Sequence, residues 1–165
     1  MTLGELNALH RPAFVAAIGW VFERSPWVAE RAWEVRPFAD LDALHTAMVE
    51  QVERANGGER LALLRAHPDL GARARMSDAS TGEQARAGLD NLSAGEYERL
   101  RALTAAYRER FGFPFLLAVK EKTKAEIFGA LQARMESSPE QDQELREALR
   151  QVYRIARFRL ETTIT

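Results

Sequence analysis

Apolar residues recur three and four positions apart through much of the chain, which is the spacing of helices that each bury one face. Such stripes run through Leu41, Leu44, Met48 and Val52, through Tyr97, Leu100, Leu103 and Tyr107, and through Leu145, Leu149, Val152 and Ile155. Segments that alternate apolar and polar residues, as strands do, are scarce. The pattern predicts an all-α protein: a single-domain irregular bundle of about seven to nine helices over residues 1–165.

A second pattern marks where helices begin. In a capping box, a Ser or Thr and a Glu or Gln three residues later satisfy backbone N–H groups that the first helical turn leaves unpaired. The spacing occurs at Thr2/Glu5, Ser80/Glu83, Ser93/Glu96 and Ser138/Gln141. Ser25-Pro26 and Asp40 indicate two more starts, and Asn56-Gly57-Gly58 is interpreted as the end of the helix that begins after Asp40.

The segment 115–120 is the one serious candidate for a strand. It is a short apolar run that follows Pro114 and ends in charged residues. Because a single strand has no partner here, we expect extended chain or a helix start instead.

Composition excludes several classes of function. The 165 residues contain 23 basic and 24 acidic side chains, and this near-balance argues against a nucleic-acid partner. The chain has no cysteine, so disulfides, a thiolate nucleophile and cysteine-bound zinc are excluded. No apolar run reaches the ~18–20 residues that a membrane span needs. Neither a secretory leader pattern nor a peroxisomal tripeptide is recognised, so the expected location is cytoplasmic.

Of the three histidines, His67 has the most suggestive context. It follows the helix-like run 61–66, and Pro68 forces its backbone out of the α region before a turn that ends at Gly71. An imidazole, with an ordinary pKa of about 6.5, suits proton transfer at neutral pH. A helix C-terminal cap is the alternative role. His10 and His45 carry no comparable signal, and no histidine pair has the spacing of a metal site.

Other candidate residues also have two interpretations. Ser80 and Glu83 fit either a capping box or a helix N-terminus that binds polar ligand groups. Arg159 lies between apolar residues, where it either meets an anion or extends to solvent along the surface. The segment 111–115, Phe-Gly-Phe-Pro-Phe, is either a plug of the core or a backbone wall beside a planar ligand.

Together, these motifs resemble one family. The quoted segments are His67-Pro68-Asp69-Leu70-Gly71, Ser80-Thr81-Gly82-Glu83-Gln84 with Ala87-Gly88-Leu89, and Phe111-Gly112-Phe113-Pro114-Phe115. Further matches are Ser25-Pro26-Trp27-Val28, Arg36-Pro37-Phe38, Lys122-Thr123-Lys124 and Ile155-Ala156-Arg157-Phe158-Arg159-Leu160. In this order they are similar to the decarboxylases of 2-oxo-4-hydroxy-4-carboxy-5-ureidoimidazoline (OHCU).

The resemblance implies a cofactor-independent carboxy-lyase with no metal, commonly a homodimer. It would convert OHCU to (S)-allantoin and CO2, the last step from urate to allantoin in purine catabolism. The implied catalytic residues are His67, Glu83 and Arg159. The implied substrate contacts are Pro68, Ser80, Gln84, Phe113, Phe115, Leu116 and Leu117, the last four through their backbone.

Two rival functions are compatible with the helical pattern. A protein-interaction domain would use the Arg-rich last helix and the Phe-rich segment to bind a partner, but it would not account for His67, Glu83 and Arg159 within these motifs. An enzyme with the same fold and a different ureido substrate is the second rival.

Overall fold

The computed structural model describes residues 1–72, 77–137 and 139–165, and this part of the chain contains nine α-helices and no strand. The helices are α1 Leu3–Ala8, α2 Arg11–Ile18, α3 Trp27–Ala32, α4 Leu41–Arg54, α5 Gly57–Arg65, α6 Asp78–Arg86, α7 Ala94–Phe111, α8 Lys124–Glu136 and α9 Gln141–Thr163. Two short 3-10 helices, Gly19–Val21 and Trp33–Val35, follow α2 and α3. The prediction of an all-α fold is confirmed.

The chain forms two compact units. Unit 1 comprises Met1–Ala66 and Val152–Thr165, and unit 2 comprises His67–Gln151. A single domain over 1–165 stays a prediction.

Capping side chains explain most helix starts. The capping boxes predicted at Thr2/Glu5 and Ser93/Glu96 are confirmed, with both side-chain bonds formed in each. Asp40 caps α4 as expected, through a 2.7 Å bond from Ala43 N to its Oδ1. For the box at Ser138/Gln141, Ser138 lies outside the described residues.

Three predicted capping roles are wrong, although α3 does begin directly after Pro26 and α4 does end at Arg54, next to the predicted positions. Ser77, and not Ser80, caps α6, and it accepts the N–H of Ser80 at 3.2 Å. Asn56 starts α5 instead of ending α4, because its side chain and that of Glu59 form another capping box. After Ser25-Pro26 the helix begins at Trp27 without a side-chain cap.

Unit 1 has an apolar core built by the predicted stripe of α4. Leu44, Met48 and Val52 are fully buried, and α3 packs against α4. Phe14 and Phe22 are buried in the same unit. His45, on the flank of this stripe, is half-buried and its Nε2 lies 2.8 Å from the carbonyl oxygen of Tyr153.

Unit 2 has an aromatic core beside α7 and α8, which pack together. Tyr107 is surrounded by three phenylalanine rings, with centroid distances of 4.6 Å to Phe111, 6.0 Å to Phe113 and 5.3 Å to Phe115. The segment 115–119 is buried and is neither helix nor strand, so the expectation that it does not form a strand is confirmed and a helix start there is wrong.

Candidate functional site

The segment directly after α5 contains His67 and, two residues later, a tight turn over residues 69–72. His67 is 5 % exposed. The carbonyl of Asp69 accepts the N–H of Ala72 at 3.1 Å, which closes the turn predicted from the sequence. Gly71 has a φ of +69°, and a Cβ atom there would lie 2.6 Å from Cδ2 of Leu100. Glycine is therefore required for both the conformation and the close approach to α7.

Helix α6 presents three of the predicted site residues. Ser80 and Gln84 are one turn apart and buried, while Glu83 is half-buried. Gln84 Oε1 accepts the N–H of Gly71 at 2.8 Å, so this helix is bonded to the His67 turn. Ser80 lies in the first turn of α6, so its hydroxyl is not used as the N-cap.

The segment 113–117 uses its side chains for packing. Phe113, Phe115, Leu116 and Leu117 are all buried. Helix α7 ends because Gly112 adopts the left-handed conformation with φ +81°. The core-plug interpretation is therefore correct for the side chains, and a contact between the backbone of this segment and a ligand stays a prediction.

An anchor network, formed by Tyr107, Arg134 and Glu144, holds the backbone of this segment. Arg134 donates from Nη1 to the carbonyl oxygen of Leu116 at 2.5 Å and from Nε to Glu144 Oε1 at 2.6 Å. The Tyr107 hydroxyl donates to the same Glu144 oxygen at 2.5 Å. Burial, together with the bond to Glu144, raises the pKa of Tyr107 well above its ordinary value, so Tyr107 remains a neutral donor.

A second backbone anchor comes from α9. Gln151 Oε1 accepts the N–H of Ala118 at 3.0 Å, and Gln151 is buried. Sequence motifs did not identify Arg134 or Gln151 as anchors, since each bonds a backbone group more than fifteen positions away in the chain.

Arg159 lies in unit 1 and is buried in an ion pair. Its Nη2 donates to Glu23 Oε2 at 2.9 Å, and its Nη1 lies 3.3 Å from each of the carbonyl oxygens of Trp20 and Val21. The side chains of Arg159 and Glu23 are 3 % and 1 % exposed. The expectation that a buried Arg159 meets an anion is confirmed, and that anion is a carboxylate that the sequence analysis missed. The one local signal is that Glu23 directly follows the apolar run 18–22.

Two clefts are lined by Gly71 and Ala72. One, of about 140 Å³, includes Gln84, and the other, of about 370 Å³, includes Tyr97 and Arg108. Neither lining includes His67 or Glu83, so these clefts do not by themselves define the catalytic pocket.

His10, which like His45 lies outside the family motifs, has a structural role. His10 is the exposed N-cap of α2, where its Nδ1 accepts the N–H of Ala13 at 3.4 Å. Among residues 1–72, 77–137 and 139–165, no group of three or more His, Asp or Glu side chains is placed to hold a metal ion. In the same ranges, no helix is long and apolar enough to cross a membrane.

Comparison with known proteins identifies close relatives. The family model described as OHCU decarboxylase matches residues 7–161. The 2-oxo-4-hydroxy-4-carboxy-5-ureidoimidazoline decarboxylase of Haloferax volcanii is 49 % identical over 160 residues, which cover 97 % of this chain and 94 % of the relative. The protein of the same name from Halalkalicoccus jeotgali is 45 % identical and covers 98 % of this chain and 90 % of its own length.

Longer proteins also contain a similar region. The uric acid degradation bifunctional protein PucL of Bacillus subtilis is 46 % identical over 99 % of this chain, which spans 33 % of that relative. The crystal structure of an (S)-allantoin synthase superposes with a TM-score of 0.82 and 31 % identity, over all of this chain and 54 % of that one. An OHCU decarboxylase crystallised in the presence of (S)-allantoin, at 24 % identity and a TM-score of 0.67, supports the fold, over 82 % of this chain and 89 % of that one.

Proposed function

Since the chain belongs to the OHCU decarboxylase family, we propose that it converts OHCU to (S)-allantoin and CO2, the last step from urate to allantoin in purine catabolism. The observation that carries this proposal is the 49 % identity to a relative named as an OHCU decarboxylase, over nearly the full length of both chains. The activity is that of a carboxy-lyase.

The decarboxylation requires few catalytic groups from the protein, because the substrate ring itself can accept electrons. When the bond to the carboxylate breaks, its electron pair must be taken up, and the conjugated ring C=N of OHCU can accept it. What the protein must supply is orientation of the substrate and control of a proton. A chiral product further requires that this proton be delivered to one face.

His67 and Glu83 are the residues that we assign to these tasks. His67 moves a substrate proton at the hydroxyl-bearing carbon, and its buried position just before a closed turn supports a fixed direction of delivery. Glu83, half-buried on α6, accepts hydrogen bonds from the ureido N–H groups. Ser80 and Pro68 shape the same part of unit 2. The catalytic role of Arg159 stays a prediction.

The backbone of 113–117 is assigned to the substrate ring. The anchor network and Gln151 support this role, because they hold the carbonyl of Leu116 and the N–H of Ala118, which directly follows the segment. Because these backbone groups are already held in place, they can orient a bound ring while losing little conformational entropy themselves.

The activity is tested by generating OHCU in situ from urate with urate oxidase and hydroxyisourate hydrolase. Adding this protein should accelerate the appearance of (S)-allantoin, followed by circular dichroism. His67→Asn should abolish the acceleration while leaving the helical spectrum intact. The matched control is His10→Asn, which replaces an exposed histidine by another good N-cap residue and should retain full activity.

Two results would contradict the proposal. Wild-type protein that leaves the spontaneous rate unchanged would favour a binding module or another ureido substrate. A His67→Asn variant with most of its activity would reject His67 as the proton-handling group.

We further propose a cytoplasmic homodimer, which is the assembly that the family resemblance implies. Sedimentation equilibrium of the purified chain measures its mass in solution, and a monomer at all concentrations would reject the dimer. Fractionation of cells that express the native gene tests the location.

A further inference from the structure

The acceptors that hold the Arg159 guanidinium come from one short segment of unit 1, directly after α2. Glu23 Oε2 accepts from Nη2 at 2.9 Å, and the carbonyl oxygens of Trp20 and Val21 each lie 3.3 Å from Nη1. The bond to Glu23 is the shortest of these three, and a charged acceptor makes a stronger bond than a carbonyl does. Glu23 is therefore the strongest of these restraints on the direction of the guanidinium plane.

The backbone around Glu23 is itself held in place by Ser25. The buried Ser25 hydroxyl donates to the carbonyl oxygen of Glu23 at 2.9 Å. Between them, Arg24 has a φ of +46°, in the left-handed region that residues with a Cβ seldom adopt. Such a conformation persists where the surrounding structure enforces it, and it is concentrated at functional sites. The motif that begins at Ser25, which the proposed function leaves without a role, thus serves to hold Glu23.

Stability alone does not account for this ion pair. Both side chains are almost completely buried, and removing two charges from water costs so much that an apolar pair of similar volume is often at least as stable. What the pair provides is a buried cation with a fixed orientation. OHCU carries a carboxylate, which a planar guanidinium binds through parallel N–H donors only when its plane is correctly placed.

We infer that Glu23 is a positioning residue for the reaction: it fixes the orientation of Arg159, so that this cation meets the carboxylate of the substrate. Glu23 acts through Arg159 and handles no reacting atom. The inference rests on the proposed function for the identity of the substrate.

Two substitutions of Glu23 separate charge from position. Glu23→Asp keeps the charge but retracts the carboxylate by one methylene, and Glu23→Gln keeps the length but loses the charge. Each should lower kcat/KM for OHCU roughly 10–100-fold, measured under conditions where circular dichroism shows the variant to be folded. Ser25→Ala leaves both charges in place and loosens only the backbone of Glu23, so it should lower kcat/KM in the same direction but by less.

The side chain of Arg159 gives a readout that does not depend on turnover. In ¹⁵N spectra, its guanidinium N–H signals are assigned by their absence in Arg159→Lys. They should exchange slowly with solvent in the wild type and much faster in both Glu23 variants. Glu53→Gln is the matched control, because Glu53 accepts the hydroxyl of Tyr153, another α9 side chain of unit 1, at 2.7 Å. Its kcat/KM and its Arg159 signals should match those of the wild type.

The outcomes are distinct. A purely structural ion pair would change the unfolding midpoint and leave kcat/KM of the folded protein intact. The inference is therefore overturned if either folded Glu23 variant keeps kcat/KM within about threefold of the wild type, or if exchange of the Arg159 N–H groups is unchanged. If neither Glu23 variant folds, Ser25→Ala decides by the same two measurements. Wild-type protein without turnover would reject the proposed function, and the exchange pattern would then decide alone whether Glu23 fixes Arg159.

Discussion

Replacing Arg159 with methionine should strongly destabilise unit 1, whatever Arg159 does in catalysis. The two side chains of its ion pair are 3 % and 1 % exposed, so solvent screens their attraction very little. Removing the cation takes the ion pair with Arg159 away from a carboxylate that stays buried. Breaking a buried pair from one side costs about 3–5 kcal/mol, which is a large fraction of the stability of a typical domain.

The double variant tests the electrostatic reasoning. Glu23→Gln/Arg159→Met removes both charges, so it should be more stable than Arg159→Met alone, although it adds a second substitution. Arg159→Lys keeps a cation but loses the planar fork that bonds Glu23 and two carbonyls together, so its stability should lie between wild type and Arg159→Met.

The assay is urea unfolding followed by far-ultraviolet circular dichroism, with each variant also assayed for OHCU turnover well below its unfolding midpoint. A loss below about 1 kcal/mol for Arg159→Met would refute the reasoning, because that is the value of an exposed pair. A double variant that is less stable than Arg159→Met would also refute it. A stable Arg159→Lys protein without turnover would assign Arg159 a catalytic role beyond its structural one.

Three further predictions concern caps and buried polar groups. Ser77→Ala should lower stability by about 1 kcal/mol, whereas Ser80→Ala should leave the α6 cap intact, as thermal unfolding of both variants would show. Tyr107→Phe removes the hydroxyl of the anchor network and should cost about 1–3 kcal/mol in urea unfolding. Hydrogen bonding to the Ser93 backbone lowers the pKa of Glu96. The contribution of Glu96 to folding stability should therefore be present at neutral pH and lost as pH falls through that lowered pKa. The difference in unfolding free energy between wild type and Glu96→Gln should accordingly close on acidification.

Local pattern was enough to predict the helices and several of their starts. Apolar spacing predicted the stripe of α4, and Thr2/Glu5 and Ser93/Glu96 form the expected boxes. It failed where two capping residues compete. Ser80 has Glu83 three residues later, whereas Ser77 has no such partner, so the box spacing favours Ser80; the folded chain shows that Ser77 is the residue that leaves the helix.

The partners of buried polar groups could not be predicted in this way. The residues Glu23 and Arg159 are 136 positions apart, and the apolar neighbours of Arg159 indicate burial without naming the anion. Likewise, no local spacing relates Arg134 to the Leu116 carbonyl. Sequence periodicity reports which face of a helix is buried, while the choice of a hydrogen-bond partner depends on how distant segments meet.

Gln84 shows what this distinction means for a functional site. A motif places Gln84 next to Glu83, and adjacency alone suggests that both side chains face the substrate. Successive residues of a helix project about 100° apart, however, so neighbours in a motif need not serve the same surface. The bond from the Gly71 N–H to Gln84 Oε1 ties the segment after His67 to α6. A motif residue can therefore support a site through a backbone group of the protein itself, and local spacing does not reveal that role.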